Sequence, residues 1–483
     1  VRLWAERIYG IGLSQSNEKW GRVEFFVLSN NGAEIASELR TVAGLRDPLN
    51  AFLDLPHVPV PHAESGPLAG LSLAVKDIFH VAGYRTGCGN PQKYFESAIA
   101  EETAPAVQAL LDAGAQFAGK TQSDELAFSL MGVNVHFPQP VNAAAPDRVT
   151  GGSSSGSVAA VTGGLADIGI GSDTGGSIRA PASFCGLVGL RTTQGRISLD
   201  GMVPLAPTFD TFGWFAKDLE TYEEVGRILL APNGGSTEHI PSSGSSDHDP
   251  PAGENSVTAW SAPSCPGRAE DGPHSEMGKG AMSWRPFRFA ALDALVLGKP
   301  EDDAYQRMIK LVSDVMGVPD EASPLTHEID DLYWCFRKLQ AYEAWAVHGA
   351  WISATDRGLD LDVRARFEFG ATVDAQSMAA EAERRVAFRM ELAERLGDDG
   401  ILVLPTVPGA APLRGASRDD LQAYRERALR LLCLAGLSGF PQITLPIGEV
   451  DGAPFGISLC GPAGSDQQLI GLARGSLERA AKG

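Results

Sequence analysis

The chain has 483 residues and carries 40 Lys and Arg against 60 Asp and Glu, a net charge of −20. That acidity speaks against a nucleic-acid partner and against docking on anionic membranes, while an apolar fraction of 43% supplies a sizeable core. The six cysteines form neither a CxxC pair nor a disulfide framework, the start VRLWAERIYGIGLSQ lacks a signal-peptide pattern, and no run of about 18 apolar residues occurs, so a soluble cytoplasmic protein is expected.

Residues 1–40 are loosely specified; NNGAEIASELRTVAGLRD (30–47) reads as helix and DLPHVPVPHAESGP as a Pro-rich connector. From Leu68, LAGLSLAVKDIF is an apolar strand with one lysine inside it. APAVQALLDAGAQFAGK (104–120) reads as an amphipathic helix, a glycine stop and a short strand, and VAAVTGGLADIGI (158–170) as a small-residue helix and a buried strand. Residues 232–285 are rich in Pro, Gly, Ser, Asp and His without periodicity, so a disordered insertion is expected there; His239, His248, His274 and Cys265 lie in it at spacings that match no zinc pattern. Order resumes at FRFAALDALVL, followed by a charged helix (379–397), a strand in GILVLPTVPGAAP, a helix, loop and strand in RALRLLCLAGLSGFPQITLPIG, and a strand with a closing helix in the last thirty or so residues. Helices and strands alternate, so the class is α/β, with residues 41–231 and 286–483 forming two parts of one domain around the insertion.

Two hydroxyl- and glycine-rich runs, GGSSSGS (151–157) and GSDTGGSIRAP (171–181), bracket the helix and strand of 158–170. A flexible linker has no reason to alternate with buried elements, so backbone approach to a small ligand is the better reading. If Gly175 and Gly176 form a tight turn, the N–H groups of Thr174, Gly175, Gly176 and Ser177 converge beside the Ser177 hydroxyl as an oxyanion hole. A dinucleotide-type phosphate loop is the competing reading, but the third glycine of that fingerprint is missing. A serine nucleophile needs a base, and none of the nine histidines stands in a catalytic context. Lys76, inside its apolar run, is either a snorkelling or Asp77-paired strand-end lysine, or a buried lysine whose lowered pKa makes it a base. Alternation along a strand sends Lys76 and Asp77 to opposite faces.

The stretch from Gly151 to Ser198 resembles the amidase signature family of Ser–Ser–Lys hydrolases, and GLSLAVKDIF, GKTQSDELAFS, FDTFGWFA, LVLPTVPGAAP and GAPFGISLCGPAGSDQQLIGLA resemble further blocks of that family. The resemblance covers about residues 40–231 and 286–483. It implies a central mixed, twisted β-sheet covered by helices on both faces in a single large domain. It also implies that Ser177 is the acylated nucleophile, Ser153 the bridging serine on a cis peptide after Gly152, and Lys76 the base, with Ser154 in support. Asp173 and Arg179 are expected to fix the shape of the nucleophile loop. The resemblance requires no metal or organic cofactor, and a homodimer is compatible with it.

For the substrate, a small-molecule amide is implied. Its motif style is nearest to free-standing indoleacetamide-type amidases, so small apolar or aryl carboxamides such as indole-3-acetamide are expected. Phe128, Leu130 and Met131 are either an apolar pocket wall or core residues. A glutamine-amidase subunit of a tRNA-dependent amidotransferase, an allophanate- or biuret-type hydrolase, and a non-catalytic amidase-like protein are the alternatives.

Overall fold

In the computed structural model the described residues are 41–42, 45–231 and 284–482. The expectations for residues 1–40, and for the insertion 232–285 with its histidines and Cys265, lie outside them except at residues 284 and 285. The expected helix over 30–47 is not continued at its described end, where Thr41–Val42 pairs with Leu45–Arg46 as a two-residue antiparallel ladder.

The first half builds a four-stranded ladder. Its strands are β1 (Ser72–Lys76), β2 (Gln116–Thr121), β3 (Ile168–Ser172) and, after β4 (Gly189–Arg191), β5 (Phe212–Ala216). The order is β2-β1-β3-β5, with β1 parallel to both neighbours and β5 antiparallel to β3. β3 and β5 are buried along their whole length, as their near-continuous small and apolar runs require of strands covered on both faces.

The second half adds β6 (Arg285–Arg288), β7 (Asp320–Glu321), β8 (Gly400–Pro405), β9 (Gln442–Val450) and β10 (Ala453–Cys460). With β4 they make a mixed six-stranded ladder in the order β4-β9-β10-β8-β6-β7. The fold is thus α/β with mixed strand pairing, as expected, but the strands are hydrogen-bonded as two ladders. β4 and β5 abut rather than pair: Thr192 Oγ1 donates to the Phe212 carbonyl at 3.1 Å.

Of the helices α1 (Pro105–Asp112), α2 (Ser155–Thr162), α3 (Arg179–Cys185) and α4 (Leu219–Leu229), α2 and α4 pack on the first ladder, α1 packs on α4, and α3 lies against β10, β9 and β4 of the second ladder. In α2 every residue from Ser155 to Val161 is buried, which only a helix of Ser, Gly, Ala and Val permits at close range. The second half contributes α5 (Lys299–Met316), α6 (Ile329–Ala354), α7 (Leu361–Thr372), α8 (Ala375–Leu396), α9 (Arg418–Ser438) and α10 (Asp466–Ala480). Short polar side chains start several of these: Asp360, Asp374 and Ser417 accept first-turn N–H groups of α7, α8 and α9. Helices α7, α8 and α9 all pack on α6, and α6 and α9 set Phe336 and Leu432 against the glycines of the 173–177 loop. No helix among the described residues is long and apolar enough to cross a membrane.

Candidate active site

The end of β1 delivers Lys76 and Asp77 in opposite directions, as strand alternation dictates. Lys76 Nζ donates to Ser153 Oγ at 2.8 Å and to Ser172 Oγ at 3.0 Å, whereas Asp77 forms a 2.9 Å ion pair with Lys120 of β2. Lys76 and Ser153 are fully buried, and no carboxylate among the described residues comes within ion-pair distance of Lys76. Burial pulls its ammonium from the usual 10.5 down to about 8, against the opposing pull of Asp124, Asp210 and Asp173. The lysine is therefore neither snorkelling nor paired with its neighbour.

Ser153 follows a cis peptide bond after Gly152, just ahead of α2. Its carbonyl accepts the Asp124 N–H at 3.1 Å, and a Cβ on Gly152 would fall 2.2 Å from Asp124 Oδ2, so only glycine lets this carboxylate lie against the chain. Ser154 bridges to the next strand: its Oγ is 3.4 Å from both the N–H and the carbonyl of Ser172, the second hydroxyl on Lys76. That contact gives Ser154 a supporting position.

The 173–177 loop is folded around Asp173. Its carboxylate takes Arg179 Nη2 at 2.8 Å, Arg179 Nε at 3.0 Å, Arg191 Nη1 at 3.2 Å and the N–H groups of Gly176, Ile178 and Arg179. Burial alone would raise this carboxyl, but the Arg179 and Arg191 guanidiniums outweigh it and hold the group well below the usual carboxylate range. Asp173 and Arg179 are thus bonded to each other and, through Asp173, to the backbone of the loop. One expectation for the oxyanion hole is corrected: the Gly176 N–H is already committed to Asp173 Oδ1 at 2.9 Å, because Gly176 at φ +114° turns its amide back toward that carboxylate. The N–H groups of Thr174, Gly175 and Ser177 have no acceptor among the described residues. Thr174 is oriented by its hydroxyl, which donates to Asp210 Oδ1 at 2.6 Å; burial pushes the Asp210 carboxyl up to about 6.

Ser177 Oγ makes no hydrogen bond to a described residue and borders a pocket lined also by Phe128, Leu130, Thr174, Gly175, Gln340, Arg425 and Leu429. No histidine lines it. Phe128 and Leu130 therefore stand beside Ser177, the former braced edge-on against Phe367 at 4.9 Å. Met131 does not: it lines the adjoining recess with Val133, Val135 and Arg366, because the chain turns away toward Gly132 at φ +70°.

Several residues of this arrangement were not anticipated. Arg191, like Lys76, is a lone charge in an apolar strand, and that pattern alone could have marked it. Arg425 sits in the helical stripe Arg425, Ala428, Leu429 and Leu432, whose spacing buries a guanidinium among apolar neighbours. Ser172, Asp124, Asp210 and Gln340 gave no such signal. Among the described residues no three His, Cys, Asp or Glu side chains are grouped to hold a metal ion.

The family model described as Amidase matches residues 56–252. The chain is 35% identical over 437 residues to Amidase 1 of Oryza sativa subsp. japonica, covering 89% of this chain and 95% of that protein. It is 30% identical to one subunit of the Glutamyl-tRNA(Gln) amidotransferase of Haloarcula marismortui, over 84% of this chain and 95% of that one. A crystal structure of an amidase superposes with a TM-score of 0.68 at 29% identity, covering 86% of this chain and 85% of the other.

Proposed function

Given that this chain belongs to the amidase signature family and is a hydrolase acting on amides, we propose that it works through Ser177, Ser153 and Lys76. Ser177 Oγ attacks the amide carbonyl as its proton passes to Ser153, and the Ser153 proton passes to neutral Lys76. The tetrahedral oxyanion takes the free N–H groups of Thr174, Gly175 and Ser177. The lysinium returns a proton by the same path to the departing amine, leaving an acyl-serine. Water then repeats the relay and releases the carboxylate and Ser177.

The observation that carries this reading is the Lys76–Ser153 contact of 2.8 Å, in a buried site with no counter-ion among the described residues, where the neutral amine is within reach near pH 8. The substrate is a small amide, primary carboxamides releasing ammonia being the first class to try, with an acyl arm lying along Phe128, Leu130 and Leu429. Indole-3-acetamide is one member of the trial panel. Glutamine is another, since likeness to a component of an amidotransferase favours a glutaminase that works with a partner chain.

The test is ammonia release by the purified chain from indole-3-acetamide, benzamide, short aliphatic amides, glutamine and a urea derivative, beside Ser177→Ala. Turnover that vanishes in the variant, with fluorophosphonate labelling located at Ser177 by mass spectrometry, is the expected result. Turnover that persists in Ser177→Ala, or labelling elsewhere, would overturn the assignment.

A further inference from the structure

Asp124 is fully buried, and one of its carboxylate oxygens is idle. Oδ2 accepts the Gly132 N–H at 3.0 Å, whereas Oδ1 has no hydrogen-bond partner, and the group forms no ion pair among the described residues. A buried carboxylate left in this state is costly, so its place needs a reason outside its own bonds. Its surroundings point to the relay. The Asp124 N–H donates to the Ser153 carbonyl at 3.1 Å, and a Cβ on Gly152 would fall 2.2 and 2.5 Å from the two carboxylate oxygens. The carboxylate is thus seated on the residue before Ser153, whose hydroxyl receives the Lys76 ammonium at 2.8 Å.

The other groups that face Lys76 are already engaged. Burial pushes the Cys88 thiol up to about 12, which keeps it neutral. Asp173 is compensated by Arg179 and Arg191, and Asp210 takes the Thr174 hydroxyl and the N–H groups of Leu205 and Ala206 and feels Arg191. On the far face of β1, Asp77 and Lys120 pair with each other. Asp124 itself faces Lys76, the uncharged Ser155 and Ser129 hydroxyls, and Arg366, which is bonded to the Phe128 carbonyl at 2.8 Å; neighbouring Glu125 turns instead to Asn90 and His136. Burial pushes the Asp124 carboxyl up from 3.8, against the Gly132 N–H and the Lys76 ammonium, and its pull on Lys76 is the largest of those that oppose burial there.

We propose that Asp124 is a positioning residue of the relay, whose unpaired carboxylate governs how tightly Lys76 holds its proton. This rests on the proposed Ser177–Ser153–Lys76 mechanism and adds to it a group that does not line the pocket. A lysine buried with no anion near it can fall to about 5–6, where it is a weak base, whereas an ion pair would fix its proton. One carboxylate beyond ion-pair distance stands between these extremes. The same amine can then take a proton during attack and return it to the departing amine.

The experiment follows the rate constant for fluorophosphonate labelling of Ser177 against pH, which requires no knowledge of the natural amide. In wild type the rate should climb with pH to a midpoint near 8. Removing an anion disfavours the lysinium, so Asp124→Asn, nearly unchanged in shape, should lower the midpoint by about one pH unit. Asp124→Ala, uncharged and smaller, should move it in the same direction. The midpoint is the readout, because a merely structural role would slow labelling by one factor at every pH. An unmoved or raised midpoint in the variants overturns the proposal while leaving the relay standing, since the wild-type climb and its loss in Lys76→Ala test the relay separately. A wild-type profile without a climb overturns both. Failure of both Asp124 variants to fold would assign the residue to the fold and overturn the proposal as well.

Discussion

Lys76 Nζ lies 2.8 Å from Ser153 Oγ with no carboxylate of the described residues at ion-pair distance, although Asp77, the next residue, holds a 2.9 Å ion pair with Lys120. The strand end sends one charge to each side and provides a counter-ion only on the side away from Ser153. A counter-ion on Lys76 would fix its proton; its absence lets the proton leave.

This sets the pH dependence of the reaction. The base form of Lys76 appears as pH rises through about 8, so kcat/KM should climb about tenfold per pH unit below that value and level off above it. Lys76→Ala should lose the climb together with about 10³-fold in kcat/KM, with Ser177 still in place. A profile that is flat from pH 6 to 9 in wild type would remove Lys76 from the proton path.

Asp173 carries the loop's stability in acid. Its folded pKa is depressed below the ordinary 3.8, so the stability it contributes is present above that value and is lost as pH falls through the folded one. Asp173→Asn leaves two buried guanidiniums, Arg179 and Arg191, under-compensated and should cost about 3–5 kcal/mol at pH 7. The gap to wild type should narrow below pH 4, which urea titrations over a pH series would reveal; a constant gap would disconnect it from the carboxylate charge.

The turn at Gly176 tolerates no side chain. Its φ of +114° disfavours L-residues, and a Cβ there would sit 2.4 Å from Leu432 of α9. Gly176→Ala should destabilise by about 3 kcal/mol and reduce kcat more than KM, since the neighbouring N–H donors shift with it. Chemical denaturation and steady-state kinetics on the same preparation check both parts.

On the far side of β1, Lys120→Met should cost about 3–5 kcal/mol by stranding buried Asp77, and the double variant with Asp77→Leu should recover most of it. Thermal unfolding of the four proteins in the cycle measures the coupling. A double variant no better than Lys120→Met would mean that the Lys120 bonds to the Phe79 carbonyl and Thr86 Oγ1, rather than the ion pair, dominate.

The parts of this site that were legible in the sequence are those where a local rule is broken. A lysine in an apolar strand, and glycines and serines beside buried elements, are visible one residue at a time, and they led to Lys76 and Ser177; Ser153 was singled out only by the resemblance to the amidase signature family. Asp124 and Asp210 are ordinary acids in polar stretches; nothing local says that one will lie against Gly152 and the other receive the Thr174 hydroxyl. The commitment of the Gly176 N–H depends on where a side chain three residues earlier turns, which spacing alone does not fix. The split into two ladders is likewise a matter of whether β4 and β5 come into register, and both are strands by any sequence criterion.

The pocket draws on two separate stretches of chain. Lys76, Ser153 and Ser177 all belong to the first half, while Gln340, Arg425 and Leu429 come from α6 and α9 of the second. Under the mechanism proposed above, part of the pocket wall is thereby encoded far along the chain from Lys76, Ser153 and Ser177, and a change in α6 or α9 alters that wall without touching the Lys76–Ser153 contact. A lineage built this way can diversify what it cleaves while inheriting, unaltered, how it cleaves.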